Sequence, residues 1–365
     1  MSISVNQRYD PRQGARNLLL NCAGVRPGQR IVIAAEDPAE GFYDNFAAAC
    51  ILEVADELGC RPTLLPCPRV SGPEALPPSI SAAAEEADHI IFQAQAGDQV
   101  RFTRLPGGAT KIMSYALDIG LLGSQFGVLH HGFMGEVLHR FESALNAARS
   151  WRITCPLGTD VTGNQVGVGR DGGGVDDFTL LLFPIPIHRQ VSCATMNGRV
   201  AVAHWLMSTA NHLYDNNFLR LDEPLTAVVE QGRIVDFEGP GDLVKRVRSH
   251  YRRVAGLYDI EEDVVHSWHA GIHPKAHYAL NATSNIDRWG SVAFANPRYL
   301  HFHTCGDYAP GEISWSLFDV RVELDGKTYW DEGRFTFLDD PIVRERLAHY
   351  DLDESALEQR FDIGI

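Results

Sequence analysis

The chain has 365 residues, of which 45% are hydrophobic and 22% are charged, and these proportions exclude disordered and fibrous proteins. A formal net charge of −15 argues against a nucleic-acid partner, because binding phosphates requires concentrated Lys and Arg. No apolar run reaches the roughly 18 to 20 residues of a membrane span, and the N-terminal segment lacks the apolar stretch of a signal peptide. We therefore expect a cytoplasmic protein without membrane contacts, whose seven cysteines are reduced thiols.

The first 150 residues alternate strand-like and helix-like segments, which is the pattern of an α/β layer fold. The predicted elements lie, in chain order, at 31–35, 46–58, 63–65, 89–93, 111–122 and 137–148. The runs 31–35, 63–65 and 89–93 are short and apolar, as in buried strands, and the other three segments are predicted to be helical. Strands separated by helices predict parallel pairing with right-handed crossovers.

The character of the sequence changes near residue 150, beyond which strand-like segments follow one another with glycine turns between them. The predicted strands lie at 179–183, 225–230, 233–237 and 314–324, and one helix is predicted at 242–256, ending at its glycine. Such hairpins are typical of a β-rich unit. We therefore predict an α/β protein with two domains, an N-terminal parallel α/β layer domain over residues 1–150 and a C-terminal β-rich α+β domain over residues 151–365.

Histidines are concentrated in the second half of the chain, where six of the fifteen fall between positions 266 and 303. The segment LHFH carries His301 and His303, and its apolar neighbours indicate a strand. Alternate strand residues share a face about 7 Å apart, so these two imidazoles can hold one borderline metal such as Zn or Fe(II). Asp307, beyond a turn at Gly306, is a candidate carboxylate partner for one of these ligands.

The segment HSWHAGIHPKAH supplies further candidates. His266, His269 and His273 cannot all face one way on an extended chain, so we expect one of them to be a metal ligand and another to touch substrate. His188 stands apart, at the end of the proline-spaced stretch FPIPIH, where an edge strand would deliver it to a cleft as an acid, a base or a ligand.

Six segments of the sequence resemble a known group of enzymes. They are ARNLLLNCAGVRPGQRIVIAAED, WRITCPLGTDVTG, NGRV, GIHPKAHY, GSVAFA and LHFH followed by VELDG. Their order is similar to that in the aminopeptidase T-like metallopeptidases and in their relatives, the 2,5-dihydroxypyridine 5,6-dioxygenases. The resemblance covers nearly the whole chain and implies a two-domain α/β architecture, a site in the C-terminal domain and a homodimer.

The departures from this resemblance favour the dioxygenase branch. The peptidases hold two metals through glutamates that are missing here near His188 and around His266, and their histidine within GSVAFA is Ala293. Too few carboxylates remain to bridge two cations. The dioxygenases hold one iron through a histidine and an HxD pair, which the resemblance carries over to His266 and to His301 with His303.

The resemblance therefore implies a mononuclear non-heme Fe(II) dioxygenase that cleaves the ring of a small hydroxylated aromatic or N-heteroaromatic compound with O2. Histidine replaces the aspartate of HxD, so three neutral ligands are expected, with His188, His269 and His273 as catalytic candidates. One inserted residue leaves His266 and His269 in competition as third ligand, and His266 is preferred. Mn or Zn is an alternative to iron, a two-metal hydrolase acting on a small amide or peptide is the alternative enzyme, and a binding protein without metal is a third possibility.

Overall fold

Three β-sheets and the helices packed around them make up the fold. The computed structural model describes residues 9–164, 179–208, 214–306 and 312–365. Its strands are β1 Arg30–Ala35, β2 Arg61–Pro66, β3 His89–Gln93, β4 Thr110–Ser114, β5 Ser150–Thr154, β6 Asp160–Asn164, β7 Leu180–Phe183, β8 Val191–Ser192, β9 Asn197–Val202, β10 Trp205–Met207, β11 Phe218–Arg220, β12 Leu225–Glu230, β13 Arg233–Glu238, β14 Val265–Ala270, β15 Tyr299–Thr304, β16 Ile313–Phe318, β17 Arg321–Leu324, β18 Lys327–Asp331 and β19 Arg334–Phe335. Its α-helices are α1 Pro11–Arg16, α2 Asn45–Glu57, α3 Pro78–Glu86, α4 Ala96–Gln99, α5 Ile119–Gly123, α6 Gln125–Val128, α7 His131–Ala147, α8 Gly241–Tyr258, α9 Ile286–Ala293 and α10 Pro341–Arg344. None of these helices is both long and apolar enough to cross a membrane.

The five-stranded sheet is parallel and has the order β2-β1-β3-β4-β7. The predicted strands at 31–35, 63–65 and 89–93 are its first three members, so the predicted parallel pairing is confirmed. The helix predicted at 111–122 is wrong in its first part, because residues 110–114 form the fully paired strand β4. A nearly continuous apolar run does not distinguish a buried strand from a buried helix, and here pairing on both sides decides for the strand.

The other two sheets are antiparallel. The six-stranded sheet has the order β11-β10-β16-β15-β14-β8, and the eight-stranded sheet has the order β13-β12-β9-β6-β5-β17-β18-β19. The hairpin predicted from 225–230 and 233–237 is present as β12 and β13. Together with the parallel sheet, these two sheets make a mixed α/β fold.

Two predicted elements of the second half have different limits in the structure. The strand predicted at 314–324 is two strands in different sheets, because the backbone turns at Asp319, where φ is 53°. The helix predicted to end at Gly256 continues to Tyr258, and Asp259 then takes the left-handed conformation that closes it. Glycine is common at that position, but Asp also adopts it.

The described part of the protein has two hydrophobic cores, and each contains residues from both halves of the sequence. The parallel-sheet core includes Trp289 and Val292 of α9, from late in the chain. The core around the antiparallel sheets includes Phe133 and Phe141 of α7, which come before residue 150. The elements of the two halves therefore interleave, and the domain boundary at residue 150 stays a prediction.

Candidate metal centre

Three histidines lie on one face of the six-stranded sheet, on the neighbouring strands β14 and β15. His269 is directly opposite His301, and Ser267 is directly opposite His303 in the antiparallel register. Residues opposite each other in such a pair have their side chains on the same face, as do alternate residues along a strand. The alternation predicted for LHFH is therefore present, and the neighbouring strand adds a third imidazole.

The other face of the same strand pair holds these positions in place. Trp268 and Phe302 are directly opposite each other, and both are fully buried in the second core. A one-residue shift in register would move both rings out of the core and turn the histidines inward. The apolar residues that alternate with the histidines therefore fix which face the imidazoles occupy.

The three imidazoles are close enough to share one cation. One ring nitrogen from each of His269, His301 and His303 lies within 4.8 Å of the others. The ring centroids are 5.6 Å apart for His269 and His301, 5.2 Å for His269 and His303, and 4.9 Å for His301 and His303. An imidazole–metal bond is roughly 2.0–2.1 Å long, so the nitrogens of two ligands on one cation lie at most about 4.2 Å apart, and the histidine group is close to that size.

The protonation state of these rings also suits a metal. Burial lowers the pKa of His269 and of His301 well below the usual value, and the neighbouring imidazoles lower both further. Both rings are therefore neutral near pH 7, which is the form that coordinates a metal. Nδ1 of His301 is buried and has no hydrogen-bond partner among the described residues. An imidazole nitrogen in this state is a fitting ligand atom for a cation.

Two polar side chains contact the remaining histidine and orient its ring. Nδ1 of His303 lies 3.3 Å from a carboxylate oxygen of Glu312 and 3.3 Å from the hydroxyl of Ser267. A proton on Nδ1 would be donated to the carboxylate and leave Nε2 for a metal, as in carboxylate–histidine–metal arrangements. Glu312 is buried, and sequence reasoning missed it. The one indication of Glu312 in the sequence is its position directly before the predicted strand that begins near residue 314.

Asp307, which the sequence suggested as the carboxylate partner, lies outside the described residues. Among the residues that are described, Glu312 is the carboxylate near the histidine pair. It precedes β16, the strand that pairs with β15 on the side away from β14. A carboxylate therefore reaches the histidine pair from the start of a neighbouring strand, and the role suggested for Asp307 stays a prediction.

His266 is not part of the three-histidine group, although the sequence favoured it over His269 as the third ligand. The register between β14 and β15 shifts between Val265 and Ser267, so His266 is the extra residue of a bulge between the pairs Val265–Thr304 and Ser267–His303. This bulge places His266 beside the strand face, where its Nδ1 lies 2.8 Å from the Ser267 hydroxyl. Sequence spacing could not resolve this choice, because a bulge changes the alternation that spacing assumes.

His188 lies against His269, with ring centroids 5.2 Å apart, but the backbone occupies both of its nitrogens. Its Nδ1 donates to the carbonyl of Arg189 at 2.7 Å, and its Nε2 accepts from the amide of Ala270 at 3.1 Å. Burial lowers its pKa to about 4. The imidazole is therefore neutral and fixed in one tautomer, which suits a residue that positions His269 rather than one that exchanges protons.

His273 lies outside the cavity into which the three histidines project. It is fully buried, its Nδ1 accepts from the amide of Lys275 at 3.1 Å, and its ring packs edge-on against Phe126 at 4.9 Å. Burial lowers its pKa to about 3. It follows the end of β14 at Ala270, in a loop that leaves the sheet, and it does not line the cavity.

The histidine group forms part of the wall of a cavity of about 310 Å³. This volume is at the small end of the range for ligand-binding pockets. The six-stranded sheet contributes the imidazoles, Tyr299 and Ser314, and segments that follow β3 and β4 of the parallel sheet contribute Asp98, Arg101 and Tyr115. The ring of Tyr299 stacks on that of His301 at 5.4 Å, and its hydroxyl lies 3.0 Å from that of Ser316. The cavity is therefore built from both halves of the chain.

Comparison with known proteins gives a fold likeness. No protein-family model and no curated protein matches the sequence. The structure of 2,5-dihydroxypyridine dioxygenase from Pseudomonas putida KT2440 is similar with a TM-score of 0.57 and 14% identity, over 88% of this chain and 95% of that chain. Wild-type AmpT from Thermus thermophilus has a TM-score of 0.48 and 12% identity, over 89% and 98%. The likeness to the dioxygenase structure confirms, at the level of the fold, the resemblance inferred from the sequence segments.

Proposed function

We propose that the protein is a mononuclear metal-dependent oxygenase whose metal is held by His269, His301 and His303. The observation that carries the proposal is the convergence of three imidazole nitrogens within 4.8 Å at the wall of a cavity. Fe(II) bound there would supply Lewis acidity and redox chemistry toward O2. Three protein ligands leave coordination positions open, which an oxygenase requires.

The side chains around the histidines support an aromatic substrate. Phe294 lines the cavity and offers a ring surface to a flat ligand. The stack of Tyr299 on His301 holds that imidazole in one orientation, and Glu312 does so for His303. We therefore propose a ring-cleaving dioxygenase that acts on a small hydroxylated aromatic or N-heteroaromatic compound, similar to 2,5-dihydroxypyridine dioxygenase.

A metallohydrolase is the second candidate, and Glu312 is the observation that favours it. A buried carboxylate beside a metal ligand can act as a general base toward water. A two-metal hydrolase is disfavoured, because the one metal-ligand group found among the described residues consists of three histidines without a bridging carboxylate. The hydrolase alternative is therefore a single-metal enzyme that acts on a small amide or peptide with Zn or Mn.

Reconstitution with defined metals tests the proposal. The metal-free protein is loaded anaerobically with Fe(II), Mn(II) or Zn(II), and bound metal is counted by elemental analysis. O2 uptake is then followed on a panel of dihydroxypyridines and dihydroxybenzenes, and peptide cleavage is followed in parallel. We expect one metal per chain and O2 uptake with Fe(II) only, which His269→Ala abolishes.

Two results would reverse the proposal. Peptide or amide cleavage with Zn(II) or Mn(II), without O2 uptake on any compound, would favour the hydrolase. Protein that binds none of the three metals would favour a binding protein without catalysis. Sedimentation of the same samples tests the homodimer that belongs to the proposal.

A further inference from the structure

Arg101 places a guanidinium at the wall of the cavity from a mostly buried position, whereas Arg189, which also lines the cavity, is exposed. Arg101 follows α4 in the parallel-sheet half, lines the same cavity as the three histidines, and has a side chain that is 16% exposed. Its guanidinium lies over the ring of Phe102, 5.0 Å from the centroid. A cation in such a place is weakly hydrated and interacts strongly with an anion that enters the cavity.

The backbone that carries Arg101 is held by a buried lysine. The amine of Lys111 donates to the carbonyl of Val100 at 2.7 Å and also to the carbonyl of Thr103 and the hydroxyl of Thr179. The amide of Thr179 donates to the carbonyl of Arg101 at 2.8 Å. These bonds lock the turn on both sides of Arg101, so the guanidinium is positioned before any ligand arrives.

Asp98 orients the guanidinium without occupying all of its donors. One carboxylate oxygen of Asp98 accepts from the hydroxyl of Tyr115 at 2.9 Å and lies 3.9 Å from one nitrogen of Arg101. That separation is longer than a hydrogen bond. Among the described residues, no side-chain hydrogen bond from Arg101 ends on a protein acceptor. A guanidinium with five donors therefore keeps an edge for a bidentate anion.

We propose that Arg101 is a substrate-binding residue that recognises a carboxylate on the aromatic ring. This inference rests on the proposed function and narrows its substrate class to hydroxylated aromatic or N-heteroaromatic carboxylates. The cavity offers such a molecule the imidazoles for its hydroxyl groups, the ring of Phe294 for one of its flat faces, and the guanidinium for its carboxylate. A substrate held at both ends presents one ring orientation to the metal.

The test compares two probes that differ only by a carboxylate, hydroquinone and 2,5-dihydroxybenzoate. Their dissociation constants are measured by calorimetry on metal-free and on anaerobic Fe(II)-loaded protein. The variants are Arg101→Met, Arg101→Lys and the matched control Arg104→Met, which removes the same charge from an exposed position outside the cavity. Melting temperatures of all variants are recorded to check folding. If Arg101→Met does not fold, Arg101→Lys, which keeps the charge, still tests the inference.

We expect the wild type to prefer 2,5-dihydroxybenzoate, also without metal. Arg101→Met weakens its binding about ten- to hundredfold and leaves hydroquinone within about twofold, since one charge-assisted bidentate contact is lost. Arg101→Lys weakens the binding of 2,5-dihydroxybenzoate about threefold or more, because the paired N–H donors of the guanidinium are lost while the charge is kept. Arg104→Met leaves both constants within about twofold, as expected for a distant exposed charge.

Equal binding of the two probes by the metal-free wild type overturns the inference, as does equal loss in Arg101→Met and Arg104→Met. Arg101→Lys that binds like the wild type also overturns it. The proposed function fails separately, on the absence of O2 uptake from the Fe(II)-loaded protein with every compound. Carboxylate-selective binding without O2 uptake would therefore keep the subsite and reject the oxygenase.

Discussion

The two histidine-rich segments of this protein place their histidines differently in the structure. In LHFH, both imidazoles project from β15 toward the same point, as alternation along one strand requires. In HSWHAGIHPKAH, three of the four histidines have different environments: His269 joins the pair, His266 lies in a bulge, and His273 is buried in the loop after β14. The first segment is a regular strand, and the second begins with a bulge and ends in a loop.

The difference teaches that histidine density alone does not locate a metal site. What matters is the register between two strands, because cross-strand pairing places His269 directly opposite His301. His266 and His269 are only three residues apart, yet the bulge gives them different neighbours. Replacing His266 and His269 separately and comparing the metal affinities of the two variants is therefore the most direct test of this difference.

The largest expected effect is the loss of metal binding in His269→Ala. Removing one of three ligands leaves two imidazoles, and the affinity for metal should fall more than about a hundredfold, beyond the effect of changing an outer partner. Titration of metal-free protein against a chelating dye measures the affinity, and elemental analysis counts the metal. His301→Ala should behave in the same way. Retention of one metal per chain in His269→Ala would show that the three-histidine group is not the metal site.

Glu312→Gln should weaken metal binding by about ten- to a hundredfold without abolishing it. The carboxylate lies 3.3 Å from Nδ1 of His303, and replacing it with an amide removes the charge that would fix the proton on that nitrogen. The matched control is Glu142→Gln, which lines the same cavity and accepts from the amide of Arg189 at 2.9 Å. Equal affinities of the two variants would contradict the orienting role of Glu312.

His273→Asn should change the pH dependence of stability and leave metal binding unchanged. The pKa of His273 is about 3 in the folded chain against 6.5 for the ordinary ring, so folding disfavours its protonation. Stability should therefore decrease as pH falls from 6.5 toward 3, by at most about 1.4 kcal/mol per pH unit from this group. The asparagine oxygen can replace Nδ1 as acceptor and does not titrate.

Melting temperatures of metal-free protein between pH 7.5 and 4.5 measure this effect. The variant should show a smaller decrease than the wild type on acidification, although the cavity it creates lowers its melting temperature at neutral pH. His139→Asn, at an exposed position, should follow the wild type. An unchanged slope in His273→Asn would assign the acid sensitivity to other buried histidines, such as His188.

Local patterns predicted much of the fold. The strands at 31–35 and 89–93 and the hairpin at 225–237 are short apolar or alternating runs between turn residues, and each is present. The strand at 110–114 and the break at Asp319 were not predicted. Both depend on which sheet accepts the segment, because β4 pairs between β3 and β7 and the chain changes sheet after β16. Such long-range pairing is not encoded in local periodicity.

The candidate site was predicted in part, for a similar reason. His301 and His303 were identifiable because they lie on a regular strand with apolar neighbours. Glu312 was missed because it reaches His303 from the start of another strand. Arg101 gave no signal at all, since it comes from the other half of the chain and meets the histidines only across the cavity. Residues that meet through tertiary packing need a structure to be found.

The smallest expected effect is that of His266→Asn. Nδ1 of His266 contacts Ser267, which in turn lies 3.3 Å from Nδ1 of His303, so His266 is two contacts away from a proposed ligand. Its replacement should change the metal affinity less than about tenfold, below the effect expected for a direct partner of a ligand. His269→Asn, on the same strand, is the matched comparison and should lose the metal. The opposite result, with metal lost in His266→Asn and kept in His269→Asn, would restore His266 as the third ligand and would mean that the bulge in β14 lies elsewhere.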